Sequence, residues 1–349
     1  MEFSDNFKNT IKISNAYILN KYYHYQSNQA AKSALKNIEL QNGILNPLLK
    51  KQALIYAREV LGWKGYAPWL YVYTAVAGSF KEGWIPDNYY NVIIPQIQGE
   101  YGKISFLKPL TNKLLNTVVC PDIAYYINKQ WFTSDFKQLP SKEVQKLAFS
   151  FSETIVYKSD KSFQGRGISI YNKNTFKLSL IEKEGNGTLQ SYITQHHFFN
   201  DFMSSSLATI RMTTVMDCNG NSTLRSSYLR LGRKNDTHIT SKNHIKIPIE
   251  SETGRLTEFG YLPNWQTINC HPDTKTVFKN KKIPNYNTCI EKVLNLHMQL
   301  PMVKSIGWDL VVDSKGEFIL MEWNGYGNDI KFSEATQGPC FADLNWIDR

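Results

Sequence analysis

Apolar residues recur at helical spacing through the first part of the chain and give way to short strand-like runs beyond about residue 150. Residues 29–38 hold small and apolar side chains in a helical pattern. Residues 47–61 repeat that pattern, with Pro47 suited to a first turn and Gly62 just past the end. The more apolar run 69–80 is expected to pack inside. Pro86-Asp-Asn and the polar segment 96–101 punctuate the chain and set a boundary near residue 95. Strands are expected at 154–158, 167–171, 176–181, 208–216, 226–231 and 244–249. A helix is expected at 287–299, with Ile290, Val293, Leu294 and His297 on one stripe, and a closing hairpin follows. Strands and helices in blocks, without regular βαβ repeats, indicate an α+β fold. The divisions read from this pattern are a helical region 1–95, a segment 96–188 and a segment 189–349.

The closing hairpin carries the densest chemistry. Gly307-Trp308-Asp309 opens one apolar strand, Asp313-Ser-Lys-Gly316 supplies a turn, and Glu322-Trp323-Asn324 ends the return strand. Three oxygen-bearing side chains at one end of a hairpin suit a hard cation such as Mg²⁺, whose shell phosphate oxygens would complete. Glu322 and Asn324 share a face because side chains alternate along a strand. Asp309 joins them only if Asp313 pairs near Gly316. A slip of one residue would turn it away, unless a bulge restored the convergence.

Composition narrows the alternatives. The chain has 349 residues, 42% of them hydrophobic and 13% aromatic, enough for more than one core and unlike a disordered segment. No apolar run is long enough for a membrane span, so no stable membrane insertion is expected. The first residues lack the basic-then-apolar layout of a signal peptide, and the five scattered cysteines show no C-x-x-C, which together suggest a cytoplasmic setting without a zinc site or disulfide framework. The net charge of +10 comes from dispersed lysines and arginines with no nucleic-acid-binding motif, so no nucleic-acid partner is expected.

Other residues add weaker signals. Lys158 ends a strand ahead of Ser162-Phe-Gln-Gly165-Arg166-Gly167, a turn through which backbone N–H groups could approach a phosphate beside a lysine point charge. An ordinary hairpin explains the same residues. No P-loop or protein-kinase signature is present. His196 and His197 are neighbours and point apart in extended chain, which disfavours a shared metal. Arg211 and Arg230 lie inside apolar strands, where each needs a salt bridge or a polar cavity; a phosphate or carboxylate clamp is the sharper alternative.

Taken in order, Lys158, Gly165-Arg166-Gly167, Gln190, Arg211, Asp309, Glu322 and Asn324 resemble an ATP-grasp enzyme. Gln195-His196, the run 204–211, Tyr228-Leu-Arg-Leu-Gly232, His271-Pro272-Asp273-Thr274, Ile283-Pro284 and Gly307-Trp308-Asp309 are similar to the sugar-transfer-associated branch found among bacterial surface-polysaccharide genes. The resemblance covers the chain from about residue 150 and is looser around Thr111-Asn112-Lys113. It implies two α+β subdomains clasping ATP. Lys158, Gly165, Arg166, Gly167 and Ile168 would meet the phosphates, Gln190 and Ile193 the adenine edge, and His196 the ribose. Asp309, Glu322 and Asn324 would hold one or two Mg²⁺, Arg211 would brace the transferring phosphate, and Arg230 would bind substrate.

The implied reaction joins a carboxylate to an amine through an acyl phosphate, with an amino acid and a sugar carboxylate (a uronic acid) of capsule or O-antigen assembly as the partners. A phosphotransferase on a hydroxyl and a non-catalytic nucleotide-binding partner of glycosyltransferases are the alternatives. Two departures stand out. Gln190 replaces the glutamate common in such ligases, and the stretch 238–245 lacks the Asp-Asn and Gly-Gly of the family. The oligomeric state is not fixed by these residues.

Overall fold

The computed structural model describes residues 2–160, 167–234 and 244–347, with side chains from residue 17 onward. The chain divides into two compact units: Met1–Ile93 with Asn264–Gln266 and Asp329–Arg349, and Ile94–Pro263 with Thr267–Asn328. The first unit is helical, and the second sets helices between the strands of purely antiparallel sheets, the α+β class expected. Among the described residues no helix is long and apolar enough to cross a membrane.

The first unit is helical. Helix α1 (Glu2–Asn42) buries Ala31, Ala34, Leu35 and Ile38 at spacings of one helical turn. The Asn46 side chain caps α2 (Pro47–Glu59) by accepting the Leu48 N–H at 2.8 Å, and Gly62 follows at φ 79°. The apolar run 69–80 folds as α3 (Ala67–Ala77), burying Trp69, Leu70 and Tyr73. Helix α4 (Asp87–Gln98) follows. The last α-helix among the described residues, Lys331–Gln337, belongs to this unit and brings Glu334 into its core. That carboxylate accepts the Ile85 N–H at 2.8 Å and the Cys340 N–H at 2.7 Å, while the Glu334 carbonyl accepts the Trp84 indole N–H at 2.8 Å.

In the second unit two 3₁₀ helices (Gly99–Phe106 and Lys108–Leu110) lead into a short helix, α5 (Thr111–Leu114), ahead of two antiparallel sheets. The first is five-stranded, from β1 (Asp122–Ile127), β2 (Gln130–Thr133), β3 (Thr154–Ser159), β4 (Ile168–Asn172) and β5 (Gly187–Ser191), in the order β2-β1-β5-β3-β4. Asn128 and Lys129 turn the β1–β2 hairpin with φ of 50° and 66°, a two-residue connection that the alternation of flanking residues alone does not announce. Helix α6 (Ser141–Phe151) covers one face, packing Val144 and Ala148 against Ile155, Tyr157 and Leu189. The strand expected at 176–181 is instead the start of helix α7 (Leu178–Glu184). Its Leu-Ser-Leu-Ile fits either period, but Ile181 is buried while Leu180 stays 44% exposed, and Glu-Lys-Glu extends the helix.

The second sheet has seven strands in the order β10-β9-β8-β7-β6-β11-β12. They are β6 (Thr209–Met216), β7 (Ser222–Leu231), β8 (Ile245–Pro248), β9 (Gly260–Tyr261), β10 (Thr267–Ile268), β11 (Ser305–Val312) and β12 (Phe318–Asn324). A four-residue helix, α8 (His197–Asn200), precedes them, and α9 (Tyr286–Met298) packs on β6 and β7. The buried stripe of α9 is Tyr286, Cys289, Val293, Leu296 and His297; Leu296, not Leu294, keeps the 3.6-residue period. Ile210, Met212, Leu229, Leu231, Trp308, Leu310, Leu320 and Trp323 form the apolar face of the sheet in one core with α9.

His297 is wired into that core. The Trp308 indole N–H donates to Thr214 Oγ1 at 2.8 Å, Thr214 donates to His297 Nδ1 at 2.6 Å, and His297 Nε2–H donates to the Val303 carbonyl at 2.7 Å. That pattern requires the neutral ring, and burial lowers its pKa to about 4 against the opposing pull of the Val303 carbonyl.

Two pH dependences of opposite sign are expected. The unfolded His297 gains a proton below about pH 6.5 while the folded ring stays neutral to about 4, so stability falls by about 3 kcal/mol as pH drops through that window. Burial pushes Glu334 up to about 7, so the folded state keeps a proton that the unfolded chain releases above about pH 4.5. Stability from that proton is present below pH 4.5 and is lost, again by about 3 kcal/mol, as pH rises through 7. Urea titrations across pH 4–8 are expected to show the first slope vanish in His297→Gln and the second in Glu334→Gln.

Candidate functional site

In the second unit each sheet puts an apolar face on its helices and a polar face on the other side. On the seven-stranded sheet Arg211 lies directly opposite Asp309, and Asp309 opposite Glu322, so three charged residues form a row across β6, β11 and β12. Gly307 and Asn324 pair one step along the same face. The convergence of Asp309, Glu322 and Asn324 comes through a bulge. Leu310 pairs with Leu320 but Asp309 pairs with Glu322, so Met321 is an extra residue. The turn-side register is the one that would have parted the carboxylates, and the bulge brings them together.

Asp309 is 4% exposed and paired on both oxygens. Arg211 donates through Nε to Oδ1 and through Nη2 to Oδ2 at 2.9 Å, and Arg230 Nη2 also meets Oδ1. Burial alone would raise its pKa; the two guanidiniums outweigh it and hold the carboxyl well below the usual range. Arg211 Nη1 donates to Asn328 Oδ1 at 2.9 Å, and Arg230 Nε to Thr209 Oγ1 at 3.1 Å. Both arginines that sequence placed in apolar strands therefore end on Asp309. Gly307 makes this possible, because a Cβ there would overlap Asn328 Oδ1 and crowd Arg211 Nη1.

Glu322 is exposed, and among the described residues its carboxylate takes no hydrogen bond or ion pair. Desolvation by the surrounding protein and then Asp309 push its pKa up, opposed by Lys158, Lys108 and Arg211. Asn324 Nδ2 donates to the Gly307 carbonyl at 3.2 Å, which leaves Oδ1 as the acceptor of that amide. Glu322 and Asn324 thus keep oxygens that a cation of the Mg²⁺ type could take, whereas Asp309, expected as a third ligand, has both oxygens held by Arg211 and Arg230.

Lys158 enters from β3 of the other sheet. It is 5% exposed, and Nζ donates to the Met321 carbonyl at 3.3 Å. Among the described residues no carboxylate comes within ion-pairing distance of it. Burial lowers its pKa, opposed by Glu322, Cys120, Asp122 and Asp309. Lys108, which sequence reasoning missed, lies close by, with Nζ donating to the Ser159 carbonyl at 3.3 Å and the Asp160 carbonyl at 3.5 Å. It follows a 3₁₀ turn in a segment without periodic pattern, so only the Lys-Pro pair marks it.

Gln190 is buried on β5 and donates from Nε2 to Asp122 Oδ1 at 2.7 Å. Tyr125 and Asn112 donate to the other Asp122 oxygen at 3.0 and 3.1 Å. Asp122, Tyr125 and Asn328 were not foreseen as parts of the site. Ile193 is buried just beyond β5. The His196 main-chain N–H donates to the Val312 carbonyl at 2.9 Å, while its ring Nδ1 accepts the Phe198 N–H at 3.2 Å as the cap of α8. Burial and His197 lower its pKa, against Asp313.

Gly167, at φ 79°, accepts the Ser159 N–H at 3.0 Å, and Ile168 pairs with Lys158. Gly165 and Arg166, and the divergent stretch 238–243, lie outside the described residues. Among those described, no cluster of three or more His, Cys, Asp or Glu side chains is arranged to hold a metal by itself. Nucleotide oxygens would have to complete any such shell.

A family model described as sugar-transfer associated ATP-grasp matches residues 96–345. Comparison with curated proteins finds no significant match. Among solved structures the chain is similar to N5-carboxyaminoimidazole ribonucleotide synthetase from Thermotoga maritima, at 11% identity and TM-score 0.36, over 71% of this chain and 52% of that one. It is also similar to biotin carboxylase from Campylobacter jejuni, solved as a β-γ-ATP complex, at 12% identity and TM-score 0.45, over 91% and 68%. A third is the biotin carboxylase domain of the Hydrogenobacter thermophilus 2-oxoglutarate carboxylase, solved with MgADP, ADP and bicarbonate, at 12% identity and TM-score 0.39, over 88% and 67%. The chain thus spans about half the length of the first structure and about two thirds of the other two.

Gly307→Ala is expected to displace Asn328 and loosen the Arg211–Asp309 pair, costing roughly 1–3 kcal/mol in urea unfolding, as overpacking of a tight contact does. Unchanged stability would show that the glycine is not what admits the arginine.

Proposed function

The chain belongs to the sugar-transfer associated ATP-grasp family, and from that premise we propose that it is an ATP- and magnesium-dependent carboxylate–amine ligase. Family membership supports ATP-dependent ligase chemistry in general. The finer reading rests chiefly on one observation: Lys158, a buried ammonium, has a carbonyl acceptor and no carboxylate partner among the described residues. A buried cation without a directly paired counter-charge is costly unless an anion arrives. Lys108, Lys158, Arg211 and Arg230 outnumber Asp122, Asp309 and Glu322, which suits a polyphosphate.

The lobes 96–188 and 189–349 would clasp the nucleotide, with the loop around Gly165, Arg166, Gly167 and Ile168 over the phosphates. Gln190 and Ile193 would meet the adenine and His196 the ribose. Magnesium, held by Glu322 and Asn324 with Asp309 behind, would neutralise phosphate charge when bound. Lys158 would bind the phosphate chain, Arg211 would brace the transferring group, and Arg230 would orient the substrate carboxylate.

A carboxylate oxygen then forms a bond to the γ-phosphorus as its bond to the ADP oxygen breaks, giving an acyl phosphate. An amine nitrogen attacks the acyl carbon, phosphate leaves, and the amine gives up a proton. The protein's share is positioning and charge stabilisation, and Asp309 serves it by fixing both guanidiniums before substrate arrives. We assign the pair of substrates to an amino acid or other amine and a sugar carboxylate of capsule or O-antigen assembly, in a cytoplasmic setting.

The test is release of phosphate from ATP across a matrix of amines and uronic acids, scored by product mass. Release that needs both partners supports the ligase; release onto a hydroxyl acceptor without amine would make it a phosphotransferase. Glu322→Ala is expected to lower turnover by about 10²–10³ while leaving the unfolding midpoint unchanged. Near-normal turnover in that variant would defeat the assignment of Glu322 to the cation.

A further inference from the structure

We infer that the bulge at Met321 is a positioning device for Lys158, with the main-chain carbonyl of the extra residue holding the lysine head in place. This rests on the reading of Lys158 as the phosphate-binding cation and assigns the group that aims it. Pairing alone does not require the extra residue. With Met321 removed, Leu320 would still face Leu310 and the next residue, Glu322, would still face Asp309 in an unbroken ladder. What Met321 adds is backbone outside the regular pairing. Its carbonyl accepts Lys158 Nζ at 3.3 Å, the one hydrogen bond made by that ammonium among the described residues.

The chemistry of the acceptor matters. A carboxylate in that place would neutralise the lysine and compete with an incoming anion. A neutral carbonyl occupies one of its three N–H groups, fixes its direction and leaves the charge and the other donors for a ligand. Glu322, the next residue, is turned to the same polar face by the same bulge. One local irregularity therefore sets the cationic and the anionic side of the site together. Val156, Lys158, Thr188 and Gln190 share the facing surface of the five-stranded sheet, so the lysine is the cation that the sheet sends to this carbonyl.

Two variants test this. Deletion of Met321 removes the carbonyl and keeps the Glu322–Asp309 pairing. Replacing Glu322 by its α-hydroxy acid keeps every side chain and turns the Met321 amide into an ester, a weaker acceptor, which serves if the deletion does not fold. In either variant, acylation of Lys158 by an amine-reactive reagent, read by peptide mass spectrometry without nucleotide, is expected to rise about tenfold, the size of one hydrogen bond to a charged group. The Kd for Mg-ATP is expected to rise by a similar factor, with the Kd for adenosine unchanged because the lysine meets phosphate. Lys158 acylation equal to wild type in a folded variant overturns the inference. Absence of Mg-ATP binding by the wild-type protein would instead sink the nucleotide reading, while the labelling comparison still decides whether the carbonyl holds the lysine.

Discussion

Two guanidiniums, from β6 and β7, share one buried carboxylate on β11 of the seven-stranded sheet, and the rest of the site is arranged around that shared charge. An isolated Arg211 or Arg230 at this depth would be costly, and an isolated Asp309 equally so. Together they neutralise part of one another and leave a positive excess. The geometry is tight enough that Gly307 has to lack a side chain, and Asn328 and Thr209 each take one further arginine N–H group. Replacing any one member changes the cost of burying the others, so the cluster acts as a unit.

The separation of faces follows from the same strands. Along β11, Trp308 and Leu310 face α9 while Asp309 faces the polar side; along β12, Leu320 and Trp323 face the core while Glu322 faces away. Leu320 and Glu322 could not lie on opposite faces in a regular strand, being two residues apart. The bulge at Met321 resolves that conflict and offers Lys158 its acceptor. On the five-stranded sheet, Tyr157 and Leu189 pack under α6 while Lys158 and Gln190 lie on the other face. Two amphipathic sheets thus present charge to a common space without breaking either core.

Much of this was legible in the chain. Gly307-Trp308-Asp309 and Glu322-Trp323-Asn324 announced the hairpin and its oxygen donors because alternation is strict over so few residues. Arg211 and Arg230 were visible as charges inside apolar runs. The register was not legible, since it depends on a bulge that no local pattern marks. Lys108 and Asn328 were missed because each reaches the site from an irregular segment. Gln190 was seen, but its tether to Asp122 joins residues 68 apart in sequence. Residues 176–181 misled because Leu-Ser-Leu-Ile fits both periods. The return of the C-terminal helix to the N-terminal helical unit joins ends of the chain that no local pattern connects.

The central claim is that magnesium nucleotide binds between these polar faces with its phosphates on Lys158. A crystal structure with Mg²⁺ and a non-hydrolysable ATP analogue tests it most directly. Phosphate oxygens within hydrogen-bonding reach of Lys158 Nζ, and the cation on Glu322 and Asn324, are the predicted result. Phosphates bound elsewhere, or a cation that leaves Glu322 in water, would contradict the account.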